Sequence, residues 1–115
     1  MGKVSKGGRM VEMKSIEDLT SQIARAFNPE RIILFGSYAY GQPGADSDVD
    51  MLVVLHFKGK PVRKAIEIRN KVNPGIPIDL IVRTPEQVAE RIANNDWFMR
   101  EIVEKGRTLY EANHQ

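Results

Sequence analysis

Residues 31–54 read RIILFGSYAYGQPGADSDVDMLVV, two apolar segments joined by a turn and a polar loop. The first segment, 31–36, is short and rich in β-forming residues, so it is predicted to be a strand. Residues 37–41 indicate a turn with a short helix, and the composition of 42–47 is typical of a loop. The next strand, predicted at 48–56, is apolar on both faces after its first residues. Such a strand lies inside a sheet that is covered on both sides.

Helical and strand patterns on either side of this pair complete the fold. Apolar residues at helical spacing predict a helix at 16–27, with a capping box at Ser15 and Asp18 and an end at Asn28-Pro29. The other predicted elements are a helix at 62–72, a strand at 76–82, a helix from Thr84-Pro85 to about Asn95, a helix capped by Asp96 and stopped by Gly106, and a last strand at 108–110. A helical crossover makes the second and third strands parallel, whereas the short loop makes the first two antiparallel. The predicted class is α/β (α+β), a small mixed β-sheet flanked by helices.

Bulk composition predicts one soluble domain. The 115 residues suit a single domain, taken as 15–111, behind a loose arm rich in Gly and Lys at 1–14. No apolar stretch is long enough to span a membrane, and the basic start of the chain is not followed by the apolar run of a secretory signal. Absence of cysteine excludes disulfides and thiol chemistry, so a cytoplasmic location is expected. The net charge of +2 is too small to predict bulk nucleic-acid binding.

Three aspartates on two predicted strands form the candidate chemical site. Asp48 and Asp50 are two residues apart, so their side chains share a face, with Cα atoms roughly 6.5 to 7 Å apart. Asp79 interrupts the apolar run of the third strand, where aspartate is disfavoured. Carboxylates crowded together repel one another unless a cation neutralises them, and a set of oxygen ligands suits Mg²⁺ or Mn²⁺.

Separate structural roles for these acids are the alternative. Asp46 and Asp48 could be ordinary loop acids, the next one could cap a turn, and Asp79 could pair with Arg31 or Arg83. All three in this order, after a Gly-Ser turn, favour the metal site.

The Gly36-Ser37 turn is a candidate phosphate site. Glycine lets a backbone approach a phosphate closely, and amides at the start of a helix attract anions. The Ser37 hydroxyl can donate to a phosphate oxygen, or it can simply cap the short helix. The interpretation of this pair as a phosphate site is strengthened by Asp48, which follows Ser37 with ten residues between them.

The stretch GSYAYGQPGADSDVDMLVV, residues 36–54, resembles the signature of the polymerase-β-like nucleotidyltransferase superfamily. In that signature a Gly-Ser is followed by a loop, Asp-x-Asp and a third acid on a later strand. The matching positions are Gly36, Ser37, Asp48 and Asp50, with Asp79 as the third acid. The small size, the motif spacing and the segment EIVEKGRTLYE at 101–111 are similar to the minimal nucleotidyltransferases, or MNT proteins.

The resemblance implies Mg²⁺-dependent transfer of AMP from ATP to a hydroxyl group. Gly36 and Ser37 would bind the nucleotide, and Asp48, Asp50 and Asp79 would be catalytic residues and ligands of two metal ions, Mg²⁺ or else Mn²⁺. Of these, Asp79 would lie nearest the acceptor and act as its base. MNT proteins typically pair with a small helical HEPN protein, an RNase toxin. The implied acceptor is a tyrosine of that toxin, with the MNT protein as antitoxin.

Two other functions remain open at this level: an antitoxin that blocks its partner by binding alone, and nucleotidyl transfer to RNA or a small molecule. Direct nucleic-acid binding is not expected from the mild charge. Several polar and aromatic side chains are secondary candidates, either for ligand contacts or for ordinary surface, packing and interface roles: Arg63, Lys64, Arg69, His56, Tyr38, Tyr40, Trp97 and Phe98.

Overall fold

The computed structural model describes residues 10–113 of the chain. In chain order the elements are α1 (Met13–Phe27), β1 (Arg31–Phe35), β2 (Val49–Val54), α2 (Pro61–Lys71), β3 (Ile78–Arg83), α3 (Pro85–Ala93), α4 (Trp97–Lys105) and β4 (Arg107–Glu111). Of the predicted arm at 1–14, residues 1–9 lie outside the described part, while residues 13 and 14 already belong to α1. No helix in this part of the chain is both long and apolar enough for a membrane crossing.

The four strands form one mixed sheet in the order β3-β2-β1-β4. Strand β1 is antiparallel to both β2 and β4, and β2 is parallel to β3, as the connections predicted. The sheet with its helices confirms the predicted α/β (α+β) class. Strands β1 and β2 are interior, so β3 and β4 are the two edges.

Two apolar clusters cover the two faces of the sheet. Helices α1 and α2 bury one face through residues such as Ile16, Leu19 and Ile68. Helices α3 and α4 bury the other through Val88 and Ile102. Because side chains alternate along β2, its odd-numbered residues enter the first cluster and its even-numbered apolar residues enter the second. The central strand is therefore apolar on both faces, as its sequence predicted.

The helix ends show which local signals decide the boundaries. Helix α1 starts at Met13, and its N-cap residue Glu12 makes no side-chain capping bond, so the predicted capping box at Ser15 and Asp18 is wrong. Val11 and Met13 pack against the core, which extends the helix past the local signal. At the other end, α1 stops at Phe27 before Asn28-Pro29, as predicted, and Asn28 caps it in the left-handed conformation.

Helices α3 and α4 begin at their predicted caps. Thr84 accepts a hydrogen bond from the backbone of Gln87, whose side chain accepts one in return, a complete capping box. Asp96 caps α4 by accepting from Met99 N–H at 3.1 Å. Helix α3 ends at Ala93, two residues before its predicted end, because the next residues turn the chain toward α4.

Removing the cap of α3 is predicted to lower stability without changing the fold. Thr84→Ala loses the hydroxyl that satisfies the Gln87 amide, at a cost of about 1 kcal/mol in the free energy of unfolding. Urea unfolding measures the cost, and Thr84→Ser, which keeps the hydroxyl, is the matched control. Equal losses in both variants would show that the methyl group and not the capping bond matters.

Candidate active site

The pairing of β2 with β3 decides where the acids lie. Asp50 and Asp79 are direct partners in the parallel register. Partners in a sheet project to the same face. It is the face covered by α3 and α4, which bury Leu52 of β2 beyond the acids. Asp48 lies one residue before β2, and not within the strand as predicted, but its charge still acts on Asp50. The two strands thus present Asp50 and Asp79 on one side of the sheet, with Asp48 at the start of β2 close enough to interact with Asp50.

The acids differ in burial. Asp50 is half-buried, whereas Asp48 and Asp79 are exposed. Burial raises the pKa of Asp50 above its ordinary value, and the charges of Asp79 and then Asp48 raise it further. Ionising the Asp50 carboxyl group therefore carries a desolvation cost.

The side chains are close enough to interact, but they do not converge on one point. Among residues 10–113, no three His, Cys, Asp or Glu side chains are placed so as to hold one metal ion together. Sharing an ion requires the exposed carboxylates of Asp48 and Asp79 to rotate toward Asp50. The chemistry of the set fits a hard cation, because every donor is an oxygen and the crowding is relieved by positive charge.

Gly36 is packed against the Asp50 carboxylate. Phe35, the last residue of β1, pairs with Asp50, so the backbone of the next residue, Gly36, passes directly beside the Asp50 carboxylate. A Cβ atom at position 36 would overlap the Asp50 Oδ2 atom, and the backbone there has φ +74°. A glycine is therefore required at position 36 for two reasons: it tolerates the positive φ, and it leaves space for the Asp50 side chain.

The segment after Gly36 is a hydrogen-bonded turn and not the short helix that the sequence indicated. Ala39 and Tyr40 N–H both donate to the Gly36 carbonyl. Within residues 10–113, the backbone N–H groups of Ser37 and Tyr38 donate to no protein acceptor. The Ser37 hydroxyl likewise has no protein partner there, so it does not cap a helix. Free donors beside a carboxylate cluster can receive an anion once a cation is present.

A cavity of about 310 Å³ opens on the same face, next to Asp50. Its walls come from the end of β1, the turn and helix α4: Phe35, Gly36, Tyr40, Asp50, Trp97, Phe98, Glu101 and Ile102. The Tyr40 hydroxyl donates to Glu101 Oε2 at 3.5 Å, and the Phe35 and Phe98 rings meet edge to face at 5.8 Å. Four larger depressions in the described part of the chain, of about 320 to 1060 Å³, contact none of the three aspartates.

Sequence reasoning missed Glu101 as a residue of this region. Its only local signal is its spacing of four from Trp97, which places both on one face of α4. Trp97 and Phe98 are not core residues, since 71% and 46% of their surfaces are exposed. They are turned outward because the α4 residues that face the sheet are Met99 and Ile102.

Among the described residues, Asp79 forms an ion pair with neither of its predicted partners, Arg31 and Arg83. No ion pair among the described residues includes Asp79, and Arg83 donates to the carbonyl of Val82 at 2.7 Å. His56 lies 3.4 Å from Glu30, a structural ion pair at the end of β2 when the imidazole is protonated.

The basic residues of α2 lie on the opposite side of the sheet, because α2 packs into the cluster with α1. Lys64 bonds Glu67 at 3.2 Å and lies over the Phe27 ring, and Arg69 donates to the carbonyl of Ile78. Arg63 borders a depression on that same side. Tyr38 is buried in this layer and accepts a bond from Val11 N–H, so it packs.

Comparison with known proteins identifies the family of this chain. The family described as nucleotidyltransferase domain matches residues 16–110. This chain belongs to the nucleotidyltransferase domain family. The resemblance seen in the motif is thereby confirmed, and the protein is a nucleotidyltransferase.

Individual relatives are similar over most of the chain. A Methanocaldococcus jannaschii protein named "putative protein adenylyltransferase" is 33% identical over 106 residues, which cover 88% of this chain and 100% of that protein. Two solved structures, a toxin–antitoxin with AMP-PNP and a mutant of the toxin–antitoxin MntA-HpeT, share the fold with TM-scores of 0.56 and 0.53. They are 20% and 17% identical, and each comparison covers 84% of this chain and 74% of the solved one.

The contact between Gly36 and Asp50 predicts that alanine substitutions at Gly36 and Gly41 lower stability by different amounts. Gly36 and Gly41 have similar backbone angles, φ +74° and +79°, but a Cβ at Gly41 meets nothing within 4 Å. Both alanine variants are expected to lose stability from backbone strain, and Gly36→Ala to lose about 1 kcal/mol more from overpacking. Urea unfolding in the wild-type and Asp50→Ala backgrounds checks the cause. An excess that persists without the Asp50 carboxylate would contradict this contact.

The raised pKa of Asp50 predicts how stability depends on pH in the absence of metal. A raised pKa in the folded state means that ionising Asp50 costs more in the folded than in the unfolded chain. The penalty is full at neutral pH and disappears as pH falls through the raised pKa toward the ordinary value of 3.8.

Asp50→Asn should therefore be more stable than wild type at pH 7, with an advantage that shrinks toward pH 4. Urea midpoints in EDTA across this range measure it. Asp46→Asn in the neighbouring loop is the control and should show no such trend. A constant difference across the range would assign the effect to packing of the amide.

Proposed function

We propose that this protein is a protein adenylyltransferase that transfers AMP from ATP to a hydroxyl of a partner protein and so acts as an antitoxin. The observation that carries the proposal is the register pairing of Asp50 with Asp79, beside Asp48 and the Gly36 turn. The similarity to a relative named as a protein adenylyltransferase supports the acceptor class, and the toxin–antitoxin structures support the antitoxin role. The specific acceptor proposed is a tyrosine of a HEPN toxin.

Asp48, Asp50 and Asp79 would hold Mg²⁺. When bound, divalent ions neutralise phosphate charge and make the acceptor hydroxyl more acidic. The crowded carboxyl groups fit that task, since the same repulsion that raises the pKa of Asp50 favours a cation between them. Mn²⁺ has similar ligand preferences and would serve as a substitute.

The free donors of the Gly36 turn bind the phosphates of ATP. The Ser37 hydroxyl and the N–H groups of Ser37 and Tyr38 have no protein acceptor within residues 10–113, so they are available to phosphate oxygens. Because these donors lie directly after β1, a triphosphate bound to them would be beside Asp50, which is opposite the end of that strand.

Asp79 receives the proton of the acceptor. The acceptor oxygen forms a bond to the α-phosphorus, the bond from that phosphorus to the β-phosphate bridging oxygen breaks, and pyrophosphate leaves. The hydroxyl proton passes to the exposed Asp79 carboxylate, which lies on the sheet edge where an incoming protein can reach it. Rate enhancement then comes from positioning and charge neutralisation.

Replacing the paired acids is predicted to abolish transfer while the fold remains. Asp48→Asn with Asp50→Asn should lower label transfer from α-labelled ATP by at least about a hundredfold, the loss typical of removing one preorganised electrostatic group. Asp46→Asn, a loop acid of the same segment, is the matched control and should keep wild-type activity. Circular dichroism checks that the double variant is folded, and EDTA should reproduce the loss in wild type. Wild-type activity in the folded double variant would refute the mechanism.

The acceptor is identified by incubating the protein with α-labelled ATP, Mg²⁺ and the product of the neighbouring gene. Label on a tyrosine of that product, with loss of its toxic activity, is the expected result. Inhibition of the partner without label would indicate an antitoxin that acts by binding alone. Label only on RNA or a small molecule would assign a different acceptor class.

A further inference from the structure

Helix α4 presents aromatic rings at the mouth of the cavity beside Asp50. Trp97 and Phe98 are exposed by 71% and 46%, and Tyr40 of the turn by 43%. Large aromatic surfaces left exposed together often mark a ligand or protein contact. The rings share one cavity with the Asp50 carboxylate, so whatever occupies the cavity also contacts the acid site.

The sheet order separates the two sides of that acid site. Asp79 lies on edge strand β3, whereas α4 packs against β1, the strand that leads into Gly36-Ser37. The cavity is thus on the β1 side of Asp50, and the proposed acceptor position is on the β3 side. A nucleotide with its phosphates at the turn has the cavity next to it.

The Glu101 carboxylate disfavours phosphate as the occupant of the cavity. Glu101 lines the cavity together with Asp50 but is not one of the proposed metal ligands, so no proposed cation offsets its repulsion of a phosphate group. A flat, uncharged ring with N–H donors fits better, since Glu101 accepts hydrogen bonds and the tyrosine and tryptophan rings offer stacking faces. The volume of about 310 Å³ is at the small end of the range for ligand sites, suited to a base and not to a protein helix.

We propose that Tyr40, Trp97 and Glu101 form the nucleobase subsite of the donor nucleotide, with a purine stacked on the two rings and its exocyclic amino group donating to Glu101. This proposal rests on the proposed function, because the phosphate position at Ser37 defines which side of the site the base occupies. On binding, the base replaces the long bond between Tyr40 and Glu101 as the partner of the carboxylate.

The chain provides its own probe for this subsite, since Trp97 is its single tryptophan. The ligand is an ATP analogue with a methylene group between the α- and β-phosphorus atoms, which binds but cannot transfer AMP. Titration with Mg²⁺ should change Trp97 emission saturably, whereas inorganic triphosphate should compete for the site without changing it. Calorimetry measures the same affinities independently of fluorescence.

Three variants separate stacking from hydrogen bonding. Trp97→Ala should weaken binding of the analogue about tenfold, within the range for losing one base stack, and Trp97→Phe should recover most of it. Glu101→Ala should weaken the analogue several-fold but leave inorganic triphosphate and the amino-free purine riboside analogue unchanged. Ile66→Ala, at an exposed apolar residue on the other side of the sheet, is the matched control.

The outcomes distinguish this subsite from the function on which it rests. Calorimetric binding of the analogue with no change in Trp97 emission, or with wild-type affinity in Trp97→Ala, would overturn the subsite even if AMP transfer occurs. A Trp97→Ala variant that binds the analogue normally but labels its protein acceptor poorly would assign the rings to the acceptor instead. A quench by the analogue with no transfer to any acceptor would keep the subsite and refute the transferase proposal.

Discussion

The site depends on one constraint, the parallel register that sets Asp50 beside Asp79. In a parallel pair, residues in register project to the same face, and a shift by one residue would send one of the acids into the opposite apolar layer. The register is held by the core, because Leu52 pairs with Ile81 and Val53 with Val82, each facing its own cluster. The hydrophobic pattern that folds the sheet is therefore also what gathers the carboxyl groups.

That gathering works against the stability of the fold. Asp50 is held half-buried between two other carboxylates, and its neighbour Gly36 has to be a glycine to leave it room. A side chain chosen for stability alone would be uncharged here, as the rest of β2 is. Groups with perturbed pKa values in a cleft are frequent at functional sites for this reason, since the strain is relieved only when the ligand binds.

Local patterns predicted most of the fold, and long-range contacts explain the rest. The alternation of β2 and the cap at Thr84 could be recognised because each is a property of a few consecutive residues. The start of α1 could not, because it depends on Val11 packing against the core and bonding Tyr38, 27 residues away. Pattern and motif likewise located the three aspartates, but nothing local brings Glu101 to the cavity beside them. Its position follows from α4 packing on β1.

The exposure of Asp79 indicates what the acceptor has to supply. Strand β3 is an edge of the sheet, and no described element pairs with its outer side. Asp79 is the proposed general base, and a base that is open to solvent is weak because water competes for the proton and screens the charges around it. We infer that the acceptor itself covers the exposed side of Asp79 when it docks, as a macromolecule can and a small metabolite cannot. Under the proposed function, specificity for the acceptor would then come from the partner's surface, and residues 10–113 would supply the donor side of the site.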